Sequence, residues 1–447
     1  MTMDVVLVST YDLGRQPFGL ASPAAFLRRA GHRVTCVDVT RTKLAPEAVR
    51  DAGLIAFFLP MHTATRLALP LIDRVRTVNP SARLCAYGLY APLNEDVLRQ
   101  HGVQTILGPE FEEDLVSIAG GAEPAFRPGS VDRVTFIAPD RSDLPPLSRY
   151  AALQVGNVRK IVGYTEATRG CKHRCRHCPI VPVYDGLFRI VPKEVVLEDI
   201  RRQVAAGAEH ITFGDPDFFN GPLPAAELVR ALHREWPQLS YDVTIKVEHL
   251  LKHRELLPLL KETGCAFVTS AVEAIDDRVL ALLDKGHTRA DFERLIELMR
   301  DTGLPLSPTF VAFTPWTTVE GYAELLRAIA DLGMVNNVAP VQYAIRLLIP
   351  GGSRLLELHD VQQLTGEFDA QALCYPWRHP DPRVDLLQRE IEQLVAQKLR
   401  QNVSRHDIFD AVYREAERAA GKPADPWTSP PLRARASIPY LTEPWYC

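Results

Sequence analysis

The sequence has no long uninterrupted apolar stretch and no recognisable targeting segment at its start. Its longest apolar runs, such as residues 54–60, are far shorter than the ~18 residues that a membrane-spanning helix needs. The first residues run directly into an apolar strand at 5–8, without a basic region or a small-residue cleavage site. These absences predict a cytoplasmic protein with no membrane partner.

A strong excess of charge and a biased composition are also missing. The 447 residues include 51 Lys and Arg against 55 Asp and Glu, which gives a net charge of −4. This balance gives no reason to expect a nucleic-acid partner. The eight cysteines do not form a disulfide framework, because Cys171, Cys175 and Cys178 crowd into one short segment and the others stand alone.

Two successive series of alternating strand and helix patterns fill most of the chain. The first, over residues 1–118, has apolar strands at 5–8, 34–39, 54–59 and 83–87 with helical stretches between them. This alternation predicts a Rossmann-like parallel α/β sheet. Residues 119–155 are rich in Gly, Pro, Arg and Asp, and they are predicted to be a linker.

The second series, over residues 156–355, predicts a partial (β/α)6 barrel. Its expected strands are 160–164, 210–213, 241–245, 266–269, 308–311 and 341–345. Six units are too few for a closed eight-stranded barrel, and the right-handed crossover rule curls them into an arc with the carboxyl ends on one rim. Residues 356–447 have apolar side chains at three- and four-residue spacing, so we expect a helical carboxyl-terminal region with an aromatic tail.

The three clustered cysteines have the spacing CxxxCxxC. Soft thiolates are the ligands of iron–sulfur clusters, and three on one loop can bind three irons of a cubane while the fourth iron stays open. The flanking cations Lys172, Arg174 and Arg176 are expected to lower the pKa values of the thiols. A zinc site built from these cysteines and the nearby histidines is the alternative, although no second CxxC or HxxxH pair follows to complete it.

The residues that follow resemble those of the radical SAM superfamily in type and in order. Gly214, Asp215 and Pro216 come after a predicted strand, in the place of the family's Gly-Gly-Glu-type motif, which receives the methionyl amino group of S-adenosylmethionine (SAM). Lys246 and Glu248 come after the next strand, where relatives contact the ribose or carboxylate of SAM.

Two further matches continue this order. Glu273 lies where relatives carry Glu-Ser-Gly, and residues 284–288 resemble their Lys-Gly-His-Thr signature. The resemblance implies that the three cysteines bind a [4Fe-4S] cluster and that the residues after the three later strands bind SAM.

The amino-terminal region resembles the cobalamin-binding domain of cobalamin-dependent radical SAM enzymes at residues 18–34 and 110–115. The Asp-x-His-x-x-Gly motif that supplies a lower ligand to cobalt is absent. Tyr87 and Tyr90 lie beside Gly88 where relatives carry Gly-Gly-x-His, and two tyrosines are expected to fill the space that a corrin ring needs. The alternatives are a bound cobalamin and a domain that kept its fold and lost its cofactor, and the tyrosines weigh against the cofactor.

The closing segment, from residue 438 to Cys447, is rich in aromatic residues and proline, whereas chain ends are usually polar. It resembles the end of the radical SAM family named for a CUAEP or CCAEP tail, where U is selenocysteine, as do residues 213–221, 309–318 and 346–350. The resemblance implies that Cys447 takes part in catalysis at the cluster face of the barrel. It also implies a second cysteine or selenocysteine and Ala-Glu-Pro after Cys447 in the family's full tail.

Members of that family are associated with transfer of the 3-amino-3-carboxypropyl group of SAM to arsenic. The sequence thus predicts an enzyme that cleaves SAM reductively and transfers a radical or a SAM-derived group to a small-molecule substrate. An electron donor such as flavodoxin or ferredoxin is the expected protein partner. A cobalamin-dependent radical methyltransferase is the first alternative, and a non-catalytic metal- or metalloid-binding protein is the alternative from another class.

Overall fold

The computed structural model of the protein describes residues 2–122, 135–422 and 438–442. Within these ranges, no helix is both long enough and apolar enough to cross a membrane. Most of the strands belong to two sheets, one built from the amino-terminal region and one from the middle of the chain.

The amino-terminal sheet consists of five parallel strands. They are β1 (Asp4–Ser9), β2 (Arg33–Asp38), β3 (Leu54–Phe58), β4 (Arg83–Tyr87) and β5 (Thr105–Ile106). Their order is β2-β1-β3-β4-β5, and Val5 of β1 lies opposite Val34 on one side and Leu54 on the other. The strand order reverses at β1, and ligands of such sheets bind at the carboxyl ends of the strands beside this point.

Helices cover both faces of this sheet. Those in residues 2–122 are α1 (Phe18–Arg29), α2 (Pro46–Arg50), α3 (His62–Val78), α4 (Tyr90–Leu93), α5 (Glu95–Gln100) and α6 (Glu112–Ala119). Val6 and Val8 belong to one apolar cluster, and Val5 and Leu7 belong to another. Successive side chains of a strand point to opposite faces, so β1 must be apolar throughout to be buried on both.

The second sheet is a curled half-barrel. The remaining strands are β6 (Ala152–Val155), β7 (Val158–Thr165), β8 (Thr168–Gly170), β9 (Phe188–Ile190), β10 (His210–Phe213), β11 (Ser240–Thr244), β12 (Cys265–Glu273), β13 (Leu306–Phe310) and β14 (Tyr440–Leu441). The order in the half-barrel is β13-β12-β11-β10-β7-β6-β14, while β8 and β9 form a separate antiparallel ribbon. Five strands of the half-barrel are parallel, namely β7, β10, β11, β12 and β13. β6 and β14 add antiparallel pairs at one edge.

The helices of the central region are α7 (Val181–Tyr184), α8 (Lys193–Ala205), α9 (Pro222–Glu235), α10 (Val247–Lys252), α11 (Leu257–Glu262), α12 (Asp277–Leu282), α13 (Arg289–Thr302) and α14 (Val319–Asp331). All of them except α7 and α12 contribute side chains to the largest apolar core around the half-barrel. Parallel strands joined by such crossovers bring their carboxyl ends to one rim, which is where the predicted site residues follow their strands.

The strand predicted at 341–345 is a 3-10 helix over Pro340–Tyr343 instead. Gln342 provides one reason, because its side-chain oxygen accepts a hydrogen bond from the Phe310 amide at 3.0 Å in place of a backbone carbonyl. The sixth βα unit then contributes a single parallel bridge, between Phe313 and Arg346.

The carboxyl-terminal region is helical, as predicted. Its helices in the described range up to residue 422 are α15 (His359–Leu364), α16 (Pro382–Arg400) and α17 (Arg405–Ala419). Val384, Leu387, Ile391 and Val395 are the buried stripe of α16, and α17 packs against α14 and α16.

Candidate active site

The cysteine loop follows β8 and folds back on itself. Gly170, the last residue of β8, has φ +74°, and a Cβ there would lie 2.5 Å from the Leu187 carbonyl oxygen, so only glycine fits. The Cys178 amide donates to the Cys175 carbonyl at 3.1 Å. Cys171 and Cys175 are buried, Cys178 is half-buried, and all three border one cavity.

Two side chains of the loop fix it to the other end of the half-barrel. The Arg176 amide donates to the Leu283 carbonyl at 2.9 Å, and its guanidinium donates to the Leu282 carbonyl, also at 2.9 Å. His177 Nε2 lies 3.2 Å from Glu273 Oε1. The loop that follows β8 is therefore tied to the end of β12 and to the carboxyl end of α12.

The arginines beside the cysteines do not act on the thiols as the sequence predicted. Arg174 is exposed and pairs with Asp185 at 3.4 Å. Burial has the larger effect and raises the pKa of Cys171 to about 11 and that of Cys178 to about 12. The expectation of lowered pKa values was wrong for these thiols, because a sequence shows neither the depth of a loop nor the direction of its arginines. A soft metal must therefore displace protons from them when it binds.

Two lysines, Lys246 after β11 and Lys285 after α12, bring positive charge close to the sulfur atoms. Lys246 Nζ lies 3.7 Å from Cys175 Sγ and 3.7 Å from Glu248 Oε2. Lys285 Nζ lies 3.3 Å from Glu273 Oε1. Both lysines are buried and border the cavity, so they can offset the negative charge of a thiolate cluster.

Glu273 has the left-handed backbone conformation, with φ +70°. Burial alone would raise its pKa, but Lys285 and His177 outweigh burial and lower the pKa to about 2. The carboxylate is thus ionised at the edge of the cavity. Left-handed backbone at a glutamate is rare and persists where surrounding contacts impose it, which is common at functional sites.

Gly214, Asp215 and Pro216 follow β10 and border the same cavity. A Cβ on Gly214 would lie 1.7 Å from the Tyr164 hydroxyl, so this position has no room for a side chain. Asp215 accepts hydrogen bonds from the Thr168 hydroxyl at 2.6 Å and from the backbone amide of Ala167 at 3.0 Å. Burial raises the pKa of Asp215 to about 6 against these bonds. Its carboxylate therefore holds the segment that leads into the cysteine loop.

The predicted site residues thus converge, with one exception. Lys246 and Glu273 border the cavity together with the residues after β10, whereas Glu248 lies outside the set that borders it, with 41% of its side chain exposed. Glu248 reaches the site through its ion pair with Lys246. The position of Cys447 falls outside the residues that the structure describes.

The cavity has a volume of about 540 Å³ and lies between the amino-terminal sheet and the interior of the half-barrel. Sites for small ligands typically enclose about 300–1,000 Å³, so SAM-sized molecules fall within this range. The amino-terminal region contributes Phe18, Gly88 and Tyr90 to the wall, and the barrel interior contributes Asp242 and Thr309. Neither sheet alone encloses the space.

Tyr87 does not fill this cavity, contrary to the sequence-based expectation. Its ring packs on Phe58 and Phe111 in the apolar cluster behind the sheet, and its hydroxyl donates to the Gly19 carbonyl at 2.8 Å. Tyr90 does border the cavity. The prediction failed for Tyr87 because alternate residues of a strand point to opposite faces.

Arg169, immediately before the loop, joins the two halves of the cavity wall, and the sequence analysis missed it. Its guanidinium donates to both carboxylate oxygens of Glu112, at 2.6 and 3.0 Å, and to Glu166 Oε2 at 2.9 Å. The rings of Phe18, Phe111 and Phe136 also lie within 6 Å of it. The only local sign of this ion-pair cluster in the sequence is Glu166, three residues before Arg169. The main partner, Glu112, is 57 residues away in the sequence.

The described part of the tail lies at the edge of the half-barrel. Tyr440 and Leu441 form β14, which pairs with Gln154 and Leu153 of β6. The Thr442 amide donates to the Ala152 carbonyl at 2.9 Å. Pro439, Tyr440 and Leu441 border the cavity that also contains the three cysteines.

Residues 165–335 match the model of the radical SAM superfamily. Among curated proteins, the chain is similar to the hopanoid C-3 methylase of Methylococcus capsulatus, with 24% identity over 333 residues, which are 67% of this chain and 62% of that protein. It is also similar to the ribosomal protein uS12 methylthiotransferase RimO of Parabacteroides distasonis, with 26% identity over 184 residues, which are 38% of this chain and 41% of that protein. The chain thus spans under two thirds of the length of these relatives.

Two solved structures share the fold. The cobalamin-dependent S-adenosylmethionine radical enzyme OxsB, with aqua-cobalamin and S-adenosylmethionine bound, superimposes with a TM-score of 0.68 at 13% identity, over 89% of this chain and 67% of that chain. The radical S-adenosylmethionine methyltransferase TsrM from Kitasatospora setae, with tryptophan and a SAM analogue bound, gives a TM-score of 0.62 at 18% identity, over 80% of this chain and 76% of that chain.

Proposed function

We propose, from the match of residues 165–335 to the radical SAM superfamily, that the protein is an enzyme that cleaves SAM reductively and transfers a SAM-derived group to a small molecule. One observation carries the proposal. Three cysteines of one loop border a cavity of about 540 Å³, and no fourth cysteine borders it among the described residues.

The residues around the loop fit a [4Fe-4S] cluster. Cys171, Cys175 and Cys178 supply three soft ligands, which leaves one iron open for SAM. Lys246 and Lys285 supply the buried positive charge that such a cluster requires. When bound, the cluster supplies the electron that breaks a carbon–sulfur bond of SAM, and an electron donor such as flavodoxin or ferredoxin supplies that electron in turn.

The remaining site residues provide polar groups for SAM itself. In the proposal, the backbone of Gly214 and Pro216 and the carboxylate of Asp215 receive the amino group of SAM. Lys246 then receives its carboxylate or ribose, with Glu248 as the partner that positions the ammonium. Glu273, held ionised by Lys285, contributes a second acceptor.

The position of the tail supports the finer proposal that this is a CUAEP- or CCAEP-tail enzyme. Leu441 borders the cavity, and Cys447 is the sixth residue after it, so an extended chain can carry the thiol up to about 20 Å from there. A thiol at that reach can hold a thiophilic acceptor such as arsenic beside SAM. The group transferred would then be 3-amino-3-carboxypropyl.

A second candidate function is a cobalamin-dependent radical methyltransferase. The observation that favours it is the shared cavity wall, because the amino-terminal sheet turns its ligand-binding edge towards the cysteine loop. Tyr87 is not among the residues that border that space. Both superimposed relatives are radical SAM enzymes, and OxsB contains cobalamin.

Iron analysis tests the first part of the proposal. Anaerobically reconstituted protein should contain close to four irons and four sulfides per chain, with the broad absorption near ~400 nm of such clusters. Cys175→Ala should lose both, whereas Cys374→Ala, a half-buried cysteine outside the cavity wall, should keep them. Stoichiometric zinc in place of iron would contradict the proposal.

The products of SAM identify the reaction. With a strong reductant, 5′-methylthioadenosine indicates transfer of the aminocarboxypropyl group, S-adenosylhomocysteine indicates methyl transfer, and 5′-deoxyadenosine indicates an adenosyl radical. Corrinoid that co-purifies with the protein would favour the methyltransferase. If cluster-loaded protein yields none of these products, the protein is not the enzyme proposed here.

A further inference from the structure

Two histidines and one aspartate meet beside the cysteine loop. None of them is assigned above to the cluster or to SAM, although one of the histidines, His173, also borders the cavity. His173 belongs to the loop, Asp217 follows β10, and His249 is in α10. One ligand atom from each lies within 4.8 Å of the other two. His173 is half-buried, and the other two side chains are almost completely buried, with 0% and 1% exposed.

The polar atoms of this group are not all satisfied by hydrogen bonds. His249 Nδ1 and Asp217 Oδ2 are 2.7 Å apart, yet neither has a hydrogen-bond partner of acceptable geometry among the described residues. Buried polar atoms without partners are rare and costly, so their convergence calls for a bound group. The second oxygen of Asp217 is already used, since it accepts from the Phe219 amide at 3.0 Å.

We infer that His173, Asp217 and His249 bind one divalent transition-metal ion, with Zn²⁺ as the ion of choice. Two imidazoles and a carboxylate are zinc ligands, and bonds of about 2.0–2.1 Å in a tetrahedron place neighbouring ligand atoms about 3.3 Å apart. His173 Nε2 lies 3.1 Å from His249 Nε2 and 3.6 Å from Asp217 Oδ2, and these two distances bracket that spacing. His249 Nδ1 lies closer to Asp217 Oδ2, at 2.7 Å, so the His249 ring must move to present a single nitrogen to the ion. A turn of the His249 ring exchanges which of its nitrogens faces the ion.

The surroundings of His173 agree with this inference. A histidine that binds metal usually donates its other ring N–H to a carboxylate. His173 Nδ1 lies 3.7 Å from Glu248 Oε2, on the side of the ring away from the group. At this separation Glu248 is an ion-pair partner of the ring and not a hydrogen-bond acceptor, and a small movement of its side chain would bring it within hydrogen-bond distance. The ion would tie the cysteine loop to β10 and α10.

Metal content tests the inference independently of the enzyme's activity. Cluster-loaded protein should bind one Zn²⁺ per chain in addition to four irons, measured by elemental analysis and by titration against a chromophoric chelator. Asp217→Asn keeps the oxygen that accepts from the Phe219 amide but removes the anionic ligand. This variant and His249→Gln should bind Zn²⁺ at least tenfold more weakly, while both retain four irons.

His253→Gln is the matched control, because its ring lies 5.9 Å from that of His249 but does not belong to the group. Its Zn²⁺ affinity should be unchanged. A Cys175→Ala protein without iron should still bind one Zn²⁺, and Co²⁺ in its place should show no sulfur-to-cobalt charge-transfer band. Loss of Zn²⁺ from the cysteine variant with retention in Asp217→Asn would overturn the inference, as would the absence of any metal beyond the four irons.

Discussion

Glu166, a half-buried carboxylate beside the active site, is one of the groups that make the stability of this protein depend on pH. Burial raises the pKa of Glu166 to about 7 from an ordinary 4.5, because one guanidinium, that of Arg169, cannot neutralise all the carboxylates around it. The folded protein therefore binds this proton more tightly than the unfolded chain does. Stability due to the protonated group is present below about pH 4.5 and is lost as pH rises towards about 7.

Glu166→Gln should remove this loss. Between pH 5 and pH 7.5, its free energy of unfolding relative to wild type should rise by roughly 2–3 kcal/mol. Urea unfolding of cluster-free protein at several pH values measures the difference. Glu194→Gln, which changes an exposed glutamate, should track wild type at every pH. Parallel pH profiles for wild type and Glu166→Gln would show that Glu166 has an ordinary pKa.

Asp215 has two roles that substitution can separate. Asp215→Ala leaves the Thr168 hydroxyl and the Ala167 amide buried without their acceptor, which should cost about 1–3 kcal/mol of unfolding free energy. Asp215→Asn keeps an acceptor and should cost less. Both should weaken SAM binding to cluster-loaded protein, measured by equilibrium dialysis. Full SAM affinity in Asp215→Ala would mean that the residue only supports the loop.

At the scale of an element, β14 offers a test of the tail. A chain that stops at residue 437 lacks β14, so the Ala152 amide loses its bond to the Thr442 hydroxyl and should exchange its hydrogen faster. A chain that stops at residue 442 keeps β14 but lacks Cys447. Both should retain four irons and cleave SAM.

The two truncations should differ in which property they lose. If Cys447 holds the acceptor, both truncated chains should cleave SAM without forming the transfer product. Only the shorter chain, which exposes β6, should also show faster hydrogen exchange at the Ala152 amide. Hydrogen exchange followed by mass spectrometry, together with product analysis, separates the two outcomes. Full product yield from the chain that stops at 442 would show that Cys447 is not catalytic.

The whole molecule depends on contacts that close its cavity from two sides. Arg169→Met leaves Glu112 buried without its bidentate partner, which should cost about 3–5 kcal/mol and separate the unfolding of the amino-terminal sheet from that of the half-barrel. Calorimetry should then show two transitions. The double variant Arg169→Met, Glu112→Leu removes the unpaired charge of Glu112 but still leaves Glu110 and Glu166 without the guanidinium, so it should recover only part of the loss. No recovery at all would show that the bidentate pair with Glu112 is not what the single variant loses.

Local sequence patterns were sufficient for the scaffold and for part of the site. The apolar strands, the cysteine loop and the residues directly after β10, β11 and β12 could be predicted, because parallel topology brings strand ends to one rim. Tyr87, the pKa values of the thiols and the Arg169 contacts could not be predicted. Each depends on the direction of a side chain or on burial between segments far apart in the sequence. The group of His173, Asp217 and His249 could not be predicted either, because its three members come from separate segments of the sequence.

The position of β14 has a consequence for how the protein is made. β6 emerges early, yet its partner at Thr442 lies 290 residues beyond Ala152. At about 5–20 residues per second, the ribosome needs roughly 15–60 s to synthesise that interval. During that time one edge of the half-barrel has unpaired backbone groups, which can pair with a neighbouring nascent chain. Expression yield should therefore depend on how crowded the polysome is, and a chaperone that covers β6 should raise it.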